Sequence, residues 1–372
     1  MKIIHFDTDD LDNPLGGGQP VRTFHINSRL ARRHEITVFT STYEQSVPAV
    51  QRAGVSYRRL GFGIKGLGLS HHLSFLAASG PRVLRTPHDL VVEEFSAPFG
   101  FCSLPYWTGR PVILMVQSFP FKVWEARYRL PFERIMRGLA SWQRYKAVIV
   151  QTDCMEQRFR KLMPRVEVHR VPCGIPASAL RTSDEPGGYA LFLGRIYSRE
   201  KGLNWLLDAW ADLQANDVRI PLRIAGDGPD LPELRRQVKD RGLAEIISFE
   251  GRVAGDFKDQ LIAGARFLVM PSLHETFGIS ALEGMAASKP VIASDIDNLN
   301  EVVRRQWGLL VKPGDVKGLA VAVNDLWSKP AAALELGRRA YIEASQYTWD
   351  RLALLQEQIY LRAANQHLKE IK

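Results

Sequence analysis

Cysteine is scarce and scattered: three occur in 372 residues, Cys102, Cys154 and Cys173, with no Cys-x-x-Cys pair among them. That argues against a disulfide framework and a structural zinc site, and for a reducing compartment, the cytoplasm. Long apolar runs are also missing. The longest, such as Val112–Val116, reach about five residues against the ~20 needed to cross a bilayer, so no transmembrane helix is expected. The opening Met1-Lys2-Ile3-Ile4-His5-Phe6-Asp7 carries an acid where a signal peptide would continue its apolar core, and reads instead as a first strand.

Acid is absent between Glu44 and Asp89, where Arg52, Arg58, Arg59, Lys65, Arg82 and Arg85 lie among Leu67, Leu69, Leu73, Phe75 and Leu76. The whole excess of the +9 net charge lies in the first half: Met1–Ile175 holds 24 Lys and Arg against 14 Asp and Glu, the remainder 25 against 26. Such a segment is either a solvated basic face or a surface that docks on acidic lipid. Nucleic-acid binding is disfavoured, because aromatic residues do not interleave with the basic segment in a stacking pattern.

Length and a balance of 45% apolar to 24% charged residues predict two folded domains. Short β-branched runs alternate with helical stretches throughout, the pattern of parallel sheets covered by helices. Strands are expected near 2–6, 35–40, 55–60, 89–95, 111–117, 146–152 and 166–171, with helices around 19–33, 70–80, 125–144 and 153–163. The breaker-rich run from Pro172 to Pro176 and from Thr182 to Gly188 marks a linker. A second alternation follows, with strands near 189–194, 222–226, 246–249, 266–271, 290–294 and 308–311 and helices near 201–214, 230–241, 255–264, 278–288, 315–327, 331–345 and 349–368. The predicted domains are 1–175 and 187–347, both Rossmann-like α/β units, followed by a tail over 348–372. Two such units in tandem are expected to face ligand-binding strand ends across a cleft.

Three segments carry chemistry. The turn Asn13-Pro14-Leu15-Gly16-Gly17-Gly18-Gln19 precedes a helix, and its Gly17 and Gly18 amides suit a phosphate. Gly194-Arg195 and Lys201-Gly202 put two cations at a strand end and a helix start, which suits a diphosphate. His274-Glu275-Thr276-Phe277-Gly278-Ile279 and the following Glu283 set two carboxylates eight positions apart, with helix-start amides at Phe277, Gly278 and Ile279. Carboxylates accept from the vicinal hydroxyls of sugars and ribose.

With these segments the chain resembles the retaining nucleotide-sugar glycosyltransferases of family 4, whose two-domain fold is called GT-B. Ala225-Gly226-Asp227-Gly228-Pro229, Pro271-Ser272 and Lys289-Pro290-Val291 followed by Glu301 extend the likeness over nearly the whole length. The resemblance implies Glu275 at the donor sugar, Glu283 at the ribose, Arg195 and Lys201 at the diphosphate beside Gly194, and Arg252-Val253 at the base. It implies no metal and no cofactor beyond the nucleotide-sugar, and a last helix that returns to the N-terminal, acceptor-side domain. Two departures stand out. Gln117 occupies a place where the family often has a His, and Ile296-Asp297-Asn298 stands where a glycine pair is common. Since Gln117 is no base, it is expected only to hydrogen-bond the donor sugar, and Glu94, or in second place Glu93, becomes the candidate to orient or deprotonate the acceptor.

Decoys are set aside on spacing. Gly61-Phe62-Gly63-Ile64-Lys65-Gly66 follows the third strand and has no acid about 20 residues on, unlike a dinucleotide fingerprint. Asp7-Thr8-Asp9 and Asp295-Ile296-Asp297 read as loop caps, and His71-His72 lacks a third ligand. The expected activity is transfer from a nucleoside-diphosphate sugar to a glycan or lipid-linked acceptor, at the inner face of a membrane. The competing reading is a protein of the same fold that binds nucleotide-sugar without transferring it.

Overall fold

In the computed structural model, residues 1–13, 17–64, 70–95, 103–117, 119, 129, 131, 134 and 140–371 are described. Most of the expected 125–144 helix, Gly16, Lys65 and Cys102 therefore lie outside the described residues. The chain divides into two compact units: Met1–Cys173 with Trp349–Lys372, and Gly174–Thr348.

The first unit is an eight-stranded sheet in the order β3-β4-β2-β1-β5-β6-β7-β8. Its strands are β1 (Lys2–Asp7), β2 (Glu35–Ser41), β3 (Ala49–Arg52), β4 (Val55–Leu60), β5 (Leu90–Glu94), β6 (Val112–Val116), β7 (Ala147–Val150) and β8 (Glu167–Arg170). All pairs are parallel except β3 with β4. Helices α1 (Gly18–Leu30), α2 (Ser70–Arg85), α3 (Asp153–Leu162) and the long terminal α12 (Trp349–Ile371) belong to this unit. Because the sheet is covered on both faces, strands such as β5, β6 and β7 are buried at every position, which is why they read as unbroken apolar runs.

The second unit has a six-stranded, wholly parallel sheet in the order β11-β10-β9-β12-β13-β14. The strands are β9 (Tyr189–Leu193), β10 (Leu222–Ala225), β11 (Ile247–Gly251), β12 (Ala265–Met270), β13 (Val291–Ser294) and β14 (Gly308–Val311). Between them run α4 (Ser198–Lys201), α5 (Leu203–Ala215), α6 (Leu231–Asp240), α7 (Gly255–Ala263), α8 (Ile279–Ala286), α9 (Leu299–Val302), α10 (Val316–Ser328) and α11 (Pro330–Ala344). Trp210, fully buried on α5, anchors its core with Phe192, Phe267 and Leu206.

Two expectations are corrected. Strand β3 was not foreseen; its four residues alternate between exposed and half-buried and lack an apolar signature. Its hairpin partner β4 starts after a two-residue turn with both φ positive, Ala53 at 47° and Gly54 at 82°, and that Ala-Gly pair is the signal that could have found it. Helix α2 runs to Arg85 rather than stopping at Gly80-Pro81. Gly80 leaves room for the Trp107 ring, where a Cβ would lie 2.3 Å from it, so packing holds the helix past its proline.

Candidate functional site

In each sheet the strand order reverses about the first strand, leaving a crevice at the carboxyl ends where open α/β sheets bind ligands. In the second unit those ends belong to β9 and β12. Lys201, last residue of α4, reaches Glu275 in the loop after β12, with Nζ 2.6 Å from Oε1. The Ser272 hydroxyl donates to the same oxygen at 3.0 Å. Both charged side chains are mostly buried, so their attraction is little screened by solvent. Gly202 makes this approach possible: its φ is +63°, and a Cβ there would lie 1.9 Å from the Pro271 carbonyl oxygen.

The other residues assigned to the donor lie around this pair with partners of their own. Arg195, half exposed, pairs with Glu200 at 2.9 Å and lies over the Tyr197 ring. Gly194 abuts the β10 loop, where a Cβ on Gly226 would fall 1.8 Å from the Gly194 oxygen. Glu283 on α8 is bound by Lys258 at 2.7 Å. Arg252 is exposed and Val253 half-buried just beyond β11. Helix α8 opens at Ile279, one residue later than the expected 278, with Gly278 as N-cap at φ 98°. The Gly278 and Ile279 amides precede its first intrahelical bond, from Leu282 N to the Gly278 oxygen. Phe277 is buried, its ring 6.3 Å from that of Tyr347. Asn298 adopts φ 71°, so an Asn fills the left-handed position expected to need glycine, and its Nδ2 donates to the Glu275 backbone oxygen.

The first unit has its own crevice at the carboxyl ends of β1 and β5, floored by a buried polar layer that the sequence did not announce. On the face toward α1, Glu94 Oε1 meets His5 Nε2 at 3.2 Å and accepts from Gln117 Nε2 at 3.0 Å. Gln117 Oε1 accepts from Gln151, and Cys173 Sγ donates to Gln151 Oε1. Asn27 meets His5 Nδ1 at 2.9 Å, while Thr23 and Gln19 donate to Asp7 at 2.6 Å each. Arg22, wholly buried on α1, donates to the Val171 oxygen and to Gln356 on α12, which is in turn bonded to Tyr360. His5, Asp7 and Glu94 form the only grouping of three metal-type ligands among the described residues, and both His5 nitrogens already have protein partners.

Burial sets the protonation of this layer. It pushes the Glu94 carboxyl up to about 8 and that of Asp7 to about 7, the charge of Glu94 adding to the latter, and draws His5 down to about 4. The folded protein thus binds protons on Glu94 and Asp7 more tightly than the unfolded chain does. Stability from these acids is fully present at low pH and is lost as pH rises from about 4 to about 8. We expect the melting temperature of wild type to fall across that range more steeply than that of Glu94→Gln. Parallel curves would contradict it.

The Gly17 amide donates to Asp9 Oδ2 at 3.3 Å, and Gly18 opens α1, where its amide is one of the helix-start donors without an intrahelical partner. Gln117 spends both ends of its carboxamide within the layer, and the Glu94 side chain is fully enclosed.

The comparisons with known proteins agree with this architecture. Residues 16–179 match the model described as glycosyltransferase family 4, and residues 187–329 that of glycosyl transferases group 1. An α-D-kanosaminyltransferase of Streptomyces kanamyceticus is 27% identical over 313 residues, covering 77% of this chain and 81% of that protein. The O-antigen chain mannosyltransferase C of Escherichia coli is 24% identical over 358 residues, 91% of this chain and 92% of the other. Among solved structures, sucrose-phosphate synthase from Thermosynechococcus elongatus superposes with a TM-score of 0.80 at 21% identity, over 97% and 98% of the two chains. The fold is GT-B, two parallel-sheet α/β units. The chain belongs to the family-4 glycosyltransferases.

Proposed function

We propose that this glycosyltransferase takes its sugar from a nucleoside-diphosphate donor held by the second unit and transfers it with retention of anomeric configuration. The observation that carries the reading is the Lys201–Glu275 pair at the β9/β12 switch point. A fixed ammonium there suits the departing diphosphate, with Arg195, Gly194 and the Gly278 and Ile279 amides adding donors. Glu275 accepts from the donor sugar, Glu283 from the ribose, and the base lies against Arg252 and Val253. As the C1–oxygen bond breaks, its electron pair passes to the diphosphate. The acceptor oxygen bonds C1 on the same face and gives its proton to the departing phosphate oxygen. No metal or cofactor is required. The relatives named for kanosaminyl and mannosyl transfer support a hexose-type sugar, and the α-D linkage in the first name is what retention delivers from an α-configured donor. The test is the anomeric signal of the product by proton NMR: the donor's configuration supports retention, its inverse overturns it.

The acceptor is proposed to be a glycan or lipid-linked, presented at an anionic membrane surface. No described helix is long and apolar enough to cross a membrane. Val47, Phe62, Ile64, Leu73 and Leu84 are nonetheless exposed on and around the β3–β4 hairpin and α2, near Arg58, Arg82 and Arg85. Each basic residue near an acidic surface contributes ~1 kcal/mol, and the apolar side chains add burial. We expect co-sedimentation with phosphatidylglycerol vesicles that salt weakens. Equal pelleting with neutral vesicles at low salt would reduce the segment to a solvated face.

A further inference from the structure

The carboxyl ends of β1 and β5 also open on the other face of the first sheet, beneath α2. A cavity of about 190 Å³ lies there, its walls formed largely by Phe6, Phe75, Leu76 and Leu104, with Glu93, Glu94 and Ser103 among its polar lining and the exposed Ala77 also bordering it. Register explains why Glu93 and not Glu94 serves this face. Glu93 is paired with Phe6 and Val92 with His5, and successive strand residues point to opposite sides, so Glu94 turns toward His5 and α1. Glu93 Oε2 accepts from the Tyr145 hydroxyl at 2.6 Å and from the Leu104 amide at 3.3 Å, and the Ser103 amide also donates to the carboxylate. Burial pushes the Glu93 carboxyl up to about 7, so above that pH it is ionised and offers about four acceptor positions, one of which is left for a ligand hydroxyl.

We propose that this cavity is a subsite of the acceptor and takes an alcohol flanked by an apolar group of about six carbons, its hydroxyl bonded to Glu93. A dry apolar cavity of ~150 Å³ accepts a benzene-sized molecule, so the space here fits a six-carbon group and no long chain. A mostly apolar, partly open cavity with a convergent carboxyl group at a sheet's switch point is where a small-molecule site is expected. The inference rests on reading the first unit as the acceptor side; it narrows the acceptor proposed above from a bare glycan to one that carries a short apolar segment beside its hydroxyl, only that segment entering the cavity, and it moves the acceptor-orienting role from Glu94 to Glu93.

The probe is hexan-1-ol, titrated into the full-length protein and followed by ligand-observed NMR, with glucose as the fully hydroxylated comparison. Saturable binding of hexan-1-ol and none of glucose is expected. Ala77 is exposed, so Ala77→Phe blocks the mouth of the cavity without disturbing the core, and it should abolish saturation. Glu93→Gln, which keeps an acceptor oxygen but loses the charge that strengthens the bond, should weaken binding by about fivefold to tenfold, with the melting temperature measured alongside. Unchanged binding in folded Ala77→Phe, or equal binding of glucose, overturns the assignment. Thermal shifts with nucleotide-sugars on the same proteins separate the two claims: if they persist while hexan-1-ol fails, the subsite alone is wrong, and if both fail, the proposed nucleotide-sugar reading falls as well.

Discussion

Lys201→Ala is expected to lower turnover with the nucleotide-sugar by a hundredfold or more while the protein stays folded. The magnitude, ~2.7 to 4 kcal/mol, is that of losing one fixed donor to an anion that develops in the transition state. Two features place Lys201 at that level. Its ammonium is largely removed from solvent, and Glu275 and the backbone at Gly202 leave it little freedom, so no reorganisation is needed when charge reaches the diphosphate. Arg195→Ala should cost less, because that guanidinium is half exposed and shared with Glu200, where water and salt screen its field. Steady-state rates for the two variants, with unfolding curves to verify the fold, check the order. Near wild-type turnover in Lys201→Ala would remove the role assigned to it.

Gly202→Ala should damage both stability and donor binding. The left-handed backbone alone costs an ordinary residue ~1–2 kcal/mol. Here the added methyl would also lie 1.9 Å from the Pro271 carbonyl oxygen, so the segment bearing Lys201 must move away from the loop bearing Glu275. Gly255→Ala is the matched comparison: its φ is +56°, but a Cβ there meets nothing within 4 Å, so only the backbone cost applies. The expected result is a larger fall in melting temperature for Gly202→Ala, accompanied by loss of nucleotide-sugar affinity that Gly255→Ala does not show. Equal behaviour of the two would mean that the contact with Pro271 does not hold the site together.

These residues show what could be read before the structure. The parallel strands were legible because burial on both faces imposes continuous apolar runs, and Val112–Val116 and Tyr189–Leu193 fall within a residue or two of the expected ends. The β3 hairpin was not, because an edge strand needs no apolar signature. Lys201 and Glu275 were singled out by motif, yet their contact across 74 positions is a product of strand order and could not be read from local pattern. The polar layer beneath α1 was missed for a different reason. His5 between Ile4 and Phe6, and Gln117 and Gln151 closing apolar strands, were each visible as polar residues at inward positions. The helix residues that complete the layer, Asn27 against His5 and Arg22 bonded to Gln356 across 334 positions, carry no signal of their own. Choosing between Glu93 and Glu94 needed the register, since alternation at a strand end tells that the two diverge but not which faces the cavity.

The central claim is that the second unit holds a nucleoside-diphosphate sugar through Lys201. It is tested most directly by a thermal-shift panel of uridine, guanosine, adenosine and thymidine diphosphate sugars against wild type and Lys201→Ala. A ligand at 100 times its dissociation constant stabilises by ~2.7 kcal/mol, enough to raise the melting temperature by several degrees. The account predicts a clear rise for wild type with at least one base, and its loss in Lys201→Ala. A wild-type protein that no member of the panel stabilises at millimolar concentration, or a Lys201→Ala variant stabilised equally well, would contradict it.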